Sequence, residues 1–111
     1  MSKYNARKTI IDGITFDSKA EANYYTQLKL LQRAGEIVEL ELQPKFEIIP
    51  SFVDPAGKKV RATHYIADFR VKYKDGREEV IDVKGHKTDV YRLKKKLFEQ
   101  RYGIPVKEVS G

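Results

Sequence analysis

The stretch YIADFRVKYKDGREEVIDVK, residues 65–84, decides how this chain is read. Two β-rich runs with period-two patterning flank Lys74-Asp75-Gly76, which is a hairpin signal. Two registers are open. A two-residue Asp75-Gly76 turn sets Lys74 against Arg77 and Asp68 against Val83, with Asp68 on the opposite side of the sheet from Asp82. A three-residue Lys74-Asp75-Gly76 loop, closed by a left-handed Gly76 in a bulge, sets Tyr73 against Arg77 and Asp68 against Asp82. The second register is the more consistent. It collects Tyr65, Ala67, Phe69, Val71 and Tyr73 opposite Ile81 and Val83 on one apolar face, with Glu79 and Arg77 at the tip. The other face carries Ile66, Asp68, Arg70 and Lys72 opposite Glu78, Val80, Asp82 and Lys84, with Lys72 and Glu78 as an ion pair.

In this register two carboxylates stand side by side near the middle of a sheet, with Lys84 diagonal to Asp68. Such groups are costly to bury, and they repel unless a cation sits between them. A hard divalent ion is the natural partner, since magnesium takes oxygen ligands and keeps several waters for phosphate chemistry. Acidic-X-Lys alone is no signal, because it occurs twice, as Asp17-Ser18-Lys19 and Asp82-Val83-Lys84. What distinguishes the second copy is its setting in Val80-Ile81-Asp82-Val83-Lys84-Gly85, where alternation points both charges one way.

Outward from the hairpin, Ser18 with Glu21 three residues later opens a helix over Lys19 to Ala34, stopped by Gly35. Its apolar stripe is Tyr24, Leu28 and Leu31, and Glu21 lies on that stripe. Ile37 to Leu42 and Phe46 to Val53 read as strands separated at Gln43-Pro44, with Gln43 either a strand end or an active-site contact. Thr88 or Asp89 caps a second helix running to Tyr102, with Val90, Leu93 and Leu97 as its inward row and Gly103 as its stop; Ile104 to Val109 is a last edge strand. The order predicts a mixed α/β (α+β) fold, one mixed sheet against helices, in a single domain spanning residues 1–111.

Composition bounds the function. Twenty-two Lys and Arg against sixteen Asp and Glu give +6, a balance that favours nucleic acid as partner. The excess concentrates between Lys84 and Arg101, and Lys3, Arg7, Lys8, Lys58, Lys59 and Arg61 broaden the basic surface or serve solubility. With no cysteine, thiol catalysis and thiolate metal sites are excluded, and a reducing cytoplasmic setting fits. The longest uncharged stretch, Ala22 to Leu28, is seven residues, whereas a membrane span needs about 20 apolar ones; neither a span nor a secretory leader is expected.

The succession Ser18-Lys19-Ala20-Glu21-Ala22, Gln43-Pro44, Tyr65-Ile66-Ala67-Asp68-Phe69, Asp82-Val83-Lys84-Gly85 and Thr88 to Lys94 resembles the PD-(D/E)XK nuclease superfamily. Within it the chain looks like the small phage-type, Holliday-junction-resolvase-like recombination endonucleases. The resemblance covers about Ile10 to Tyr102 and departs at Ala67, where a proline often precedes the first strand acid. It implies an αβββαβ core and metal-dependent hydrolysis of DNA, on branched or recombination-intermediate substrates. Asp68, Asp82 and the Val83 carbonyl would bind Mg2+ or Mn2+, Glu21 would complete the site directly or through water, and Lys84 would orient or deprotonate the attacking water. Lys87, Tyr91, Lys94 and Lys95 are candidate DNA contacts; His64 and His86 are read as neighbours, not ligands. A homodimer is expected, since one site per chain cannot make paired symmetric cuts. The alternatives are a non-catalytic basic DNA-binding module, or the nuclease subunit of a transposase or restriction system.

Overall fold

The computed structural model describes residues 8–110, so Lys3 and Arg7 lie outside it. In chain order the elements are β1 (Thr9–Ile11), β2 (Ile14–Phe16), α1 (Lys19–Arg33), β3 (Ile37–Leu42), β4 (Lys45–Ile49), β5 (Phe52–Val53), β6 (Lys59–Val60), β7 (Thr63–Ile66), β8 (Phe69–Tyr73), β9 (Glu78–Lys84), α2 (Asp89–Tyr102) and β10 (Val106–Ser110). A mixed four-stranded sheet, β10-β9-β8-β3, lies at the centre; β3, β8 and β9 are antiparallel, and β10 runs parallel to β9. Parallel neighbours need a crossover, and α2 supplies it. With α1 ahead of β3, the central elements run αβββαβ, and β4 to β7 form an excursion between β3 and β8 that pairs within itself.

The three-residue hairpin register holds: Phe69 pairs with Ile81 and Lys72 with Glu78, and the Tyr73 amide donates to the Arg77 carbonyl at 2.8 Å. Gly76 closes the loop at φ 93°, a conformation that favours glycine. The expected Lys72–Glu78 ion pair does not form. Glu78 instead meets Arg70 at 3.1 Å, because Arg70 is already drawn between Glu39 and Glu41 of β3 and reaches all three carboxylates.

Face assignments differ from expectation at one place. Phe69, Val71 and Ile81 pack with Ala22, Tyr25 and Leu28 of α1, but Tyr65 and Ala67 belong to the opposite layer, with Val80 and with Tyr91 and Phe98 of α2. The cause is a break between β7 and β8. The Asp68 amide donates to the Ile81 carbonyl while Phe69 is the register partner of Ile81, so two residues oppose one, as in a β-bulge, and the alternation slips by one. β3 leaves the sheet at the matching point: the Gln43 amide donates to the Asp68 carbonyl at 2.9 Å, and the Ala67 amide to the Pro44 carbonyl at 3.2 Å.

Both helices are rotated from their expected stripes. α1 buries Ala22, Tyr25 and Leu28, leaving Leu31 exposed. The β1–β2 hairpin, turned at Asp12-Gly13 and not among the expected elements, draws the buried face round: Phe16 packs on the Tyr25 ring at 4.9 Å, and the Tyr25 hydroxyl donates to Asp12. α2, capped by Thr88 and ended by left-handed Gly103, buries Tyr91 and Phe98, while Val90 and Leu93 stand 63% and 56% exposed. Aromatic area wins there, since Phe98 contacts the rings of Phe46, Tyr65 and Tyr102. Among the described residues no helix is long and apolar enough to cross a membrane.

Candidate active site

β8 and β9 separate beyond Phe69 and Ile81, and the expected acids gather around that split. Asp68 stands at the bulge. Its Oδ2 accepts the Val83 amide at 2.7 Å, taking a backbone donor freed where the strands diverge. Glu21 reaches the same place from the first turn of α1; the Ser18 hydroxyl oxygen accepts the Glu21 amide, which fixes the start of the helix. Burial, and then the Asp68 carboxylate within hydrogen-bonding reach, push Glu21 up to about 7. Glu21, Gln43 and Asp68 line one pocket of about 140 Å³ with Thr15, Phe16 and Leu42.

Asp82 occupies the other side of the split. It is completely buried, and the Tyr65 hydroxyl donates to its Oδ2. Its Oδ1 is buried with no hydrogen-bond partner, and the Lys84 ammonium lies 3.6 Å away. Burial raises Asp82 to about 6, while Lys84 and the Asp68 amide pull it back. The Lys84 ammonium sits 4.8 Å from the centre of the Tyr91 ring, a cation–π contact, and its charge also lowers Glu21.

The expectation of two strand acids on one face is therefore corrected. Glu21 and Asp68 approach from the α1 layer, Asp82 and Lys84 from the α2 layer. The bulge carries Asp68 away from the face that unbroken alternation assigns it. What joins the two halves is the split itself, through the Asp68 amide beside Asp82 and the Lys84 charge felt by both Asp82 and Glu21.

The candidate DNA contacts divide. Tyr91 is a core residue: it is buried, its hydroxyl donates to Glu108 at 2.8 Å, and burial followed by that bond raises its pKa above the ordinary range. It carries Lys84 instead of facing outward. Lys87 pairs with Glu108 at 3.5 Å and Lys95 with Glu99 at 3.1 Å. With Arg92 and Lys96 these residues line a groove of about 420 Å³ along α2, and Lys94 lies half-buried on the helix.

Two residues of the site escaped sequence reasoning. Tyr65 fixes Asp82, and Glu108 stands against Asp82 in the parallel pairing of β9 and β10 while holding Tyr91 and Lys87. Local pattern carries no trace of either. The tyrosine is recruited across the bulge and the glutamate through the crossover.

Among the described residues no group of three or more Asp, Glu, His or Cys side chains is arranged to hold a metal ion. The carboxylates present are of the kind a magnesium-type ion takes, since such an ion binds through one or two of them and retains waters and substrate oxygens. Asp82, with a buried oxygen lacking a hydrogen bond, and the neighbouring Glu21 and Asp68 are the groups such an ion would meet, on the α2 and α1 sides of the split respectively.

Fold and site together define a mixed α/β protein with three acids and a lysine gathered where its central strands part. The chain belongs to the family described as "Protein of unknown function (DUF1064)", which matches residues 1–108. Neither the curated proteins nor the solved structures include a match.

Proposed function

We propose that the chain is a divalent-metal-dependent DNA endonuclease of PD-(D/E)XK type, acting on branched or recombination-intermediate DNA. One observation carries the reading: Asp82, completely buried, keeps an oxygen without a hydrogen bond, beside a lysine two positions on and an acid pair across the strand split. A structural aspartate so deep in a core would be fully paired.

Asp68, Asp82 and the Val83 carbonyl are the groups that would hold Mg2+ or Mn2+, with Glu21 joining directly or through water. The bound ion would supply a water of lowered pKa and a Lewis acid for the phosphate oxygens. The chain's own groups do the rest. The Tyr65 hydroxyl holds Asp82 in one orientation. Lys84, 30% exposed at the mouth, presents a compact cation to the charge that develops on the phosphate and orients the attacking water. Lys87 and Lys95 exchange their glutamate partners, and Arg92 its Asp89 partner, for backbone phosphates, with Lys94 and Lys96 beside them. Two copies, each with one site, would deliver paired cuts.

The test is a panel of labelled duplex, flap and four-way-junction DNAs incubated with and without Mg2+ or Mn2+. Metal-dependent cutting that disappears in Asp82→Ala, with DNA binding retained, is the expected result. Cutting equal in wild type and Asp82→Ala rejects the assigned site. Binding without cutting under every condition favours the non-catalytic DNA-binding module.

A further inference from the structure

Gln43 has φ 50°, inside the left-handed region where an ordinary side chain is strained. Among the described residues the other non-glycine with positive φ is Asp12, a type that tolerates this region and whose carboxylate serves Tyr25. Gln43 has no such excuse. It stands where β3 leaves the sheet, with its amide bonded to the Asp68 carbonyl, and a glycine there would make the same bend without strain. Gln43, exposed at the surface, is among the residues lining the pocket with Glu21 and Asp68, and nothing among the described residues hydrogen-bonds its carboxamide.

We propose that Gln43 is a substrate-contacting residue of this pocket, its carboxamide donating to a non-bridging oxygen of the phosphodiester beside Glu21 and Asp68. The proposal rests on the nuclease reading above. Its chemistry is specific to an amide. A lysine or arginine in that position would pair with the two carboxylates and compete with a metal ion for them. A carboxamide offers an N–H to phosphate without neutralising either acid. The strained backbone persists because it delivers that group to the pocket.

Two variants of the full chain test this. Gln43→Gly removes both the strain and the carboxamide, and Gln43→Met keeps the length but not the hydrogen-bonding group. In metal-free buffer Gln43→Gly should melt a few degrees above wild type. With Mg2+ and saturating DNA, both variants should cut at least tenfold more slowly. Cleavage by either variant within twofold of wild type overturns the proposal, as does a Gln43→Gly melting temperature below wild type, which would make the residue a structural one. A wild-type protein that cuts no DNA overturns the nuclease reading and this proposal together. A wild type that cuts, alongside an equally active Gln43→Gly, overturns this proposal alone.

Discussion

The proposed chemistry turns on Asp82, and its environment makes two predictions. The Tyr65 hydroxyl donates to Asp82 Oδ2, while the Lys84 ammonium lies 3.6 Å from Oδ1. Tyr65→Phe removes the donor from a buried carboxylate oxygen, and should cost about 1–3 kcal/mol in urea unfolding of the metal-free protein; an unchanged midpoint and slope would show that the hydroxyl does not hold Asp82. The second prediction concerns pH. Glu21 is raised from 4.5 to about 7 and Asp82 from 3.8 to about 6. The folded chain therefore keeps protons that the unfolded chain releases, so this stabilisation is present at low pH and is lost as pH rises through the folded values. In chelator, the melting temperature should fall between about pH 4.5 and 7.5, and saturating Mg2+ should flatten the fall. A melting temperature that rises across that window in chelator contradicts the environment described. Asp68, Asp82 and Lys84 stood out in the hairpin pattern, and Glu21 through the family resemblance. Tyr65 and Glu108 were not, because they reach the site through pairings that join distant segments.

At the level of elements, the hairpin register was legible because Lys74-Asp75-Gly76 has the chemistry of one loop type, with Gly76 left-handed. The faces beyond it were not. Period-two reading assumes an unbroken strand, and the chain breaks at Ala67-Asp68 and again at Gln43-Pro44, where β7 and β4 leave the central sheet together. The inward row of α2 was misread for another reason. Val90, Leu93 and Leu97 have helical spacing, and Leu97 does pack against the core, but Tyr91 and Phe98, two turns apart, bury the aromatic area in place of Val90 and Leu93. This correction is measurable. Phe98→Ala, at a completely buried position, should cost about 3–5 kcal/mol. Leu93→Ala, 56% exposed, should stay within about 0.5 kcal/mol of wild type. Equal costs at the two positions would restore the row expected from sequence.

For the whole molecule, the nuclease proposal assigns the encounter with DNA to the +6 charge and the basic groove along α2. Binding measured by fluorescence anisotropy in chelator should weaken steeply with salt, and Lys95→Glu with Lys96→Glu should lower the slope of log K against log salt by about 0.9 per lost phosphate contact. An unchanged slope would move the DNA to another face. Charge sign and the order helix, strands, helix, strand were legible in composition and element sequence, and the αβββαβ core came from the family resemblance; that the acids meet at a split between layers was legible in neither. That meeting is the central claim. A crystal grown with saturating Mn2+ tests it most directly through the anomalous difference map. The account predicts a peak at coordinating distance, about 2.0–2.2 Å, from carboxylate oxygens of Asp68 and Asp82. A map with no peak between those two residues would contradict it.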